Sequence, residues 1–401
     1  LDDIFSQHDL SPEQFLEPAN APGSLENNSK LFSLLNEFLS TQPRQIRIPL
    51  LQLSLLSEFD EEFYSALYLD KEGKYGEMLD FKDFVNHLKM SNLFLIDLDV
   101  KGKWYRFHHL FQDLLKGMIP DYFTANEQKD LQLSFANTCM QKSRHEQAIE
   151  HYLMAGNTDA AVAVFASIRK GIFSNSVWPE LERIFAYFSK ELIAKYSILG
   201  LTEAWLYIYK GNIPRMISLI DSLAIMIKKD ICEEQERIHY LGELEALKAY
   251  SRYNFNIDME ACQAHSKKAL DMLGDSNSYA TGLAWVFYGG SLQALGKSEV
   301  AKELLYAELE VSDDIQVQSH LYLILCYIYW IDGDLRDLRN TASHLIRFGL
   351  SHQVHEARAN GYYFSGIAYY HMNQGAKSKM PWRNSINCGL ILLWSTSSLG
   401  R

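Results

Sequence analysis

Gly296, Lys297 and Ser298 stand in the order that closes a phosphate-binding loop. Such a loop reads G-x-x-x-x-G-K-[ST], between a strand and a helix, so that backbone N–H groups cradle phosphate oxygens and the lysine neutralises them. Position 291 is Ser291 rather than glycine, and Gly290 falls one residue early. The preceding LAWVFYGGSLQAL reads as a helix, not a strand. We therefore expect a turn between helices here, with Ser298 as N-cap of the next helix and Ala301 and Leu304 turned inward. HEQAIEH, residues 145–151, approaches a zinc-binding HExxH. Its histidines are six residues apart, however, about 120° around a helix, so they cannot share an ion. They read as part of a polar helix face. With no nucleophile elbow, Cys/His pair or carboxylate pair on a strand, we expect no catalytic residue, no metal site and no enzyme.

The totals agree with that expectation. The 401 residues are 47% hydrophobic and 22% charged, ordinary for a globular chain with two or three domains. A net charge of −12 opposes binding to nucleic acid phosphates. Cys139, Cys232, Cys262, Cys326 and Cys388 are odd in number and lack a CxxC pair, which predicts free thiols in a reducing, cytoplasmic setting. The longest strongly apolar run, Leu321–Ile331, is too short to span a bilayer, and no signal peptide is visible. The first residue is Leu1, in a stretch without targeting character. We expect the chain to be the middle of a longer protein.

Most of the sequence has apolar residues at helical spacing. Helices are predicted near Lys30–Thr41, Gln45–Leu56, Glu61–Leu67 and Asp80–Met90. Leu93–Asp99 and Trp104–Phe107, around a Gly-containing turn, predict a β-hairpin. Phe107, Leu110, Phe111, Leu114, Leu115 and Met118 then form one helical stripe, which we expect Pro120 to close. Helices followed by a hairpin define a winged-helix-like module over 43–120. Its turn holds Lys101 and Lys103, but the acids of LIDLD and Asp113 argue against duplex binding.

Beyond residue 140 short turns recur at Gly156, Gly211, Asn254, Gly296, Gly333 and Gly375. After the first interval of 55 residues they are 37 to 43 apart, each after an aromatic-rich helix. One helical hairpin cannot bury its apolar face, whereas stacked hairpins can. The expected fold class is mainly all-α, a winged-helix-like module with a small hairpin followed by a TPR-like α-solenoid. The expected divisions are 1–42, the helical tail of a preceding domain; 43–120, winged helix; 121–199, helical connector; 200–376, TPR-like repeats; and 377–401, an atypical tail. Pro381 breaks the return helix due after Gly375, at a cost of about 3 kcal/mol in a helix interior. Trp205, Tyr209, Tyr253, Tyr288, Tyr329 and Tyr369 read either as core or as an aromatic groove for an effector or partner.

NLFLIDLDVKGKWYRFHHLFQDLLKGMI resembles the winged-helix region of MalT-type regulators, the ATP-dependent LuxR-family activators among signal-transducing NTPases. Trp104, Tyr105, Phe107, His108, Leu110 and Phe111 carry the likeness. QPRQIRIPLLQLSLLSEFDEEFYSAL upstream, and HEQAIEHYLMAGNTDAAVAVF and LTEAWLYIYKGNIPRMISLIDSL downstream, extend it over roughly 31–376. The resemblance implies a parent with an N-terminal P-loop ATPase, the winged helix, an effector-sensing superhelix and a C-terminal DNA-binding helix-turn-helix. ATP or ADP is thereby implied for the parent and no cofactor for this piece. In related switches a winged-helix histidine of a Met-His-Asp-type motif contacts the ADP phosphate, and alignment places His108 there. His109 stands where many relatives have Asp. The other reading of His108 is a half-buried ring satisfied by a backbone carbonyl. The reading we expect is therefore the sensor and switch portion of such a regulator. It would take a small-molecule effector or a protein on the superhelix and meet the parent's ATPase domain, with no DNA or membrane bound directly. The alternative is a stand-alone TPR-like interaction scaffold.

Overall fold

The computed structural model describes residues 33, 35–67, 78–91, 93–174, 177–230, 233–274, 278–373 and 381. The expected tail of a preceding domain before residue 33, the Gly375 turn, most of 377–401, Cys232 and Cys388 lie outside the described residues. The chain divides into two compact units, Leu1–Phe165 and Ala166–Arg401.

In the first unit, helices Arg44–Leu53, Glu61–Ala66 and Phe81–Met90 precede two short strands. Asp60 and Asp80 start the second and third helices by accepting from Phe63 N–H and Lys82 N–H. Leu95–Asp97 and Tyr105–Phe107 pair antiparallel, with Leu95 opposite Phe107 and Asp97 opposite Tyr105. Asp99 folds the turn by accepting from the N–H groups of Lys103 at 2.7 Å and Trp104 at 3.1 Å. Phe59 adds a bridge to Tyr105, its N–H donating to the Tyr105 carbonyl and its carbonyl accepting in return. Each strand is three residues long, so most of the stabilisation of the wing comes from what it covers. Phe59, Phe63, Phe84, Phe107, Phe111 and Phe135 are fully or almost fully buried in one core.

The stripe helix runs His109–Tyr122, past Pro120 rather than stopping at it. Proline's fixed φ is helical, and its missing N–H removes one bond in the last turn only. Phe123 N–H still donates to the Ile119 carbonyl. Phe107 begins the stripe on a strand, not on the helix, yet its ring still meets Phe111 at 5.9 Å. A helical pair, Ala125–Gln141 and His145–Met154, packs in this same unit. Thr124 and Glu127 form a reciprocal cap at its start. Arg144 lies 4.1 Å from the centre of the Trp104 ring and pairs with Glu58. Lys142 pairs with Asp60 and Glu62 and lies 5.2 Å from the same ring. The helical pair is thus fastened to the wing by charge and by an aromatic face.

The second unit is a succession of helical hairpins. Helices Ser197–Tyr209, Glu234–Ser251, Ser278–Ala294, Ile315–Asp332 and His355–His371 alternate with Ile213–Asp230, Met259–Leu273, Ser298–Val311 and Leu335–Ser351. The first set is buried over most of its surface, and the second exposes one face. Close approach between members of the first set depends on small residues. A Cβ on Gly282 would come within 2.6 Å of the His320 ring. The YNFN connection lacks a glycine, and there the chain continues as a π-helical turn, Arg252–Asn256, before Ile257 reverses it at φ +50°. No helix among the described residues is long and apolar enough to cross a membrane.

Candidate functional site

Gly296 has φ +76° and ends the helix Ser278–Ala294. Its N–H donates to the Gln293 carbonyl at 2.9 Å, and Lys297 N–H donates to Leu292 at 2.9 Å. The donors that a phosphate would need are consumed in closing the helix. Ser298 is the first helical residue and not its cap, which is Lys297, and the Ser298 hydroxyl donates instead to Asp332 at 3.0 Å. Ala301 is buried as expected, but Leu305 rather than Leu304 faces inward, one position around the helix.

His108 precedes the helix His109–Tyr122 and has extended backbone, ψ +136°, so helical phase does not set its direction. Its N–H is held by the Phe94 carbonyl at 2.9 Å. The ring is half-buried and lies against Phe94 and His109. Nδ1 is buried without a hydrogen-bond partner among the described residues, and no backbone carbonyl of theirs satisfies it. Burial, and next the charges of His109 and Arg106, hold the imidazole below its usual pKa. A neutral ring with an unspent nitrogen is able to receive or give one hydrogen bond.

The six aromatics singled out in the repeats do not converge on one site. Trp205 is 1% exposed and is core, not surface. Its indole N–H donates to Glu243 Oε2 at 2.9 Å. Tyr209 is half-buried and stacks on Trp178 at 5.5 Å. Tyr253 shares a hydroxyl contact of 3.2 Å with Tyr327. Tyr288 is half-buried beside Trp285. Tyr329 is largely buried, its hydroxyl 2.9 Å from that of Tyr306 and its ring 5.2 Å from Lys302. Tyr369 is half-buried near the end of His355–His371.

What does converge was not legible in spacing. Arg169 donates through both terminal nitrogens to Glu243, at 2.9 and 2.7 Å, and through Nε to the Thr202 hydroxyl at 2.7 Å. Its guanidinium lies 4.5 Å from the Phe173 ring. His239 Nε2 lies 3.3 Å from Glu243 Oε1. Burial alone would raise the Glu243 carboxyl pKa; Arg169, then His239, override it and hold it well below the usual range. A cavity of about 230 Å³ opens beside this group, with Lys170, Glu236 and Tyr240 in its lining. Phe173, Trp178 and Trp205 meet Tyr279 edge-on, and Tyr279 meets His320 at 5.3 Å. The available signal was that Glu243 falls at helical spacing with Tyr240, Leu247 and Tyr250, a charge on an apolar stripe.

His151 is buried rather than on a polar face, with Nδ1 2.7 Å from Gln132 Oε1. Among the described residues no group of three or more His, Cys, Asp or Glu side chains could hold a metal ion. Cys139, Cys262 and Cys326 are buried free thiols.

In this chain a hairpin wing on a helical core precedes, in sequence, a succession of helical hairpins. Residues 35–124 match the family described as the MalT winged helix domain. The chain is 25% identical over 288 residues to the HTH-type transcriptional regulator MalT of Vibrio parahaemolyticus, an alignment covering 71% of this chain and 30% of that protein. It is 24% identical over 264 residues to MalT of Klebsiella pneumoniae, covering 66% and 28%. The aligned stretch thus spans less than a third of those relatives' length. The crystal structure of the Signal Transduction ATPase with Numerous Domains protein with a tetratricopeptide repeat sensor from Pyrococcus horikoshii has the same fold. Its TM-score is 0.58 at 13% identity, over 89% of this chain and 52% of that one.

Proposed function

We propose that this chain is the sensor and switch portion of a MalT-like, ATP-dependent transcriptional regulator. The observation that supports it is a MalT winged helix domain and a succession of helical hairpins in one chain. A stand-alone scaffold has no use for the wing. In this reading the second unit takes the effector or a partner protein, in the cavity beside Arg169 and Glu243. The chain is not itself an enzyme and contacts neither DNA nor membrane directly, and the assembly works in the cytoplasm. ATP or ADP belongs to an ATPase domain of the parent, and His108 contacts the nucleotide's phosphate there. Differential affinity of effector and nucleotide for the two states would couple the sites.

The test is His108→Ala in the parent regulator, read by ADP dissociation and basal transcription. Faster ADP release with raised basal transcription is expected. Unchanged values for both would remove His108 from the switch.

A further inference from the structure

The helix Ser298–Val311 carries a second apolar face that none of the described residues covers. Ala301 and Leu305 point into the core. Val300, Leu304, Ala307 and Val311 recur at intervals of four, three and four residues and are exposed, at 46%, 37% and 75% for Val300, Leu304 and Val311. At about 100° per residue these four positions fall within about 60° of one another. They form a narrow seam on the far side of the helix from Lys302, some 16 Å long at about 1.5 Å per residue. Seams with this spacing are the ones that other helices pack against.

The flanks of the seam state the partner's charge. Glu299, Glu303 and Glu310 lie along one edge, and Glu308 lies along the other. Asp313 and Asp314 follow, and Asp314 also caps the next helix. The single cation of the stretch, Lys302, is engaged by Glu299 at 2.9 Å and Asp332 at 3.0 Å. A second copy laid on this face would bring glutamates against glutamates, which opposes self-association.

We propose that the exposed face of Ser298–Val311 docks a basic amphipathic helix of another protein, with leucine-like residues in the seam and Lys or Arg on both flanks. This surface stands apart from the effector cavity, and its failure would leave the sensor reading untouched.

The probe is a synthetic helical peptide with a leucine seam and lysine flanks, titrated into the 401-residue chain and read by fluorescence anisotropy. A matched peptide with glutamate flanks is the comparison. We expect the lysine peptide to bind and the glutamate peptide not to. Leu304→Gln with Val311→Gln, which leaves the charge unchanged and replaces exposed side chains, should weaken binding tenfold or more while circular dichroism stays the same. Glu303→Lys with Glu310→Lys should weaken the lysine peptide and admit the glutamate peptide. No binding overturns the proposal. Equal binding to the Leu304→Gln, Val311→Gln variant also overturns it, since attraction would then come from net charge alone. A dimer in sedimentation that this variant abolishes would make a second copy the occupant and overturn it as well.

Discussion

Arg169 and Glu243, 74 residues apart in sequence, face each other through two parallel N–H···O bonds with both side chains buried. The indole of Trp205, the hydroxyl of Thr202 and His239 Nε2 add further partners to this pair. A buried ion pair recovers its desolvation cost only with good geometry and additional hydrogen bonds, and here three guanidinium bonds and the Trp205 indole supply them. The cluster therefore fixes the start of the repeat array as one rigid arrangement.

Removing one partner leaves an uncompensated buried charge. Arg169→Ala or Glu243→Ala should each cost about 3–5 kcal/mol. The double variant Arg169→Met, Glu243→Leu should cost clearly less than the sum of the two single changes, because no charge is stranded. Urea unfolding measures both. A single variant within about 1 kcal/mol of the parent would show the pair to be dispensable.

Burial lowers the pKa of His151 from 6.5 to about 4. The unfolded chain takes up this proton first as the pH falls, so the stability owed to neutral His151 is whole above pH 6.5 and declines between 6.5 and about 4. Glu243 and Glu245, whose pKa values are lowered, lose their contribution only below their ordinary 4.5. Thermal melting from pH 7 to 4.5 should thus be steeper for the parent than for His151→Gln, by about 2 kcal/mol at the acid end. Parallel curves would mean that His151 does not titrate in this range.

Gly282→Ala places a methyl group where the His320 ring sits. Overpacking of this kind costs about 1–3 kcal/mol. In a His320→Ala background the same change should cost clearly less, because the ring is gone and only the Cβ contact at 3.1 Å remains. Equal penalties in both backgrounds, by chemical denaturation, would place the clash elsewhere.

How much of this was written in the sequence depends on the range of the interaction. The helices Glu61–Ala66 and Phe81–Met90 lie within a residue of where the apolar period put them, because capping by Asp60 and Asp80 is local. The hairpin is where bulky residues flank Lys101–Gly102, although its strands are shorter than read. The turn at Gly296 was legible because a positive φ favours glycine whatever lies around it. The end of the stripe helix was not, because a proline in a last turn removes a single bond and need not stop the chain.

The aromatics show where reading along the chain gives out. Trp205 and Tyr209 lie four residues apart on one helix, yet the first is sealed against Glu243 and the second lies half-open on Trp178. Spacing tells which residues share a face, but what covers that face comes from other helices. By itself the sequence determined a helical chain with a wing, its repeat, and the likeness of NLFLIDLDVKGKWYRFHHLFQDLLKGMI to the wing of MalT-type regulators, since these rest on local period, turn chemistry and motif. Only the tertiary structure decided that Arg169 meets Glu243, that His108 keeps an unspent nitrogen, and that Leu304 looks outward while Leu305 looks in. Each of those depends on contacts between segments distant in sequence, and burial decides whether a given side chain is structural or available.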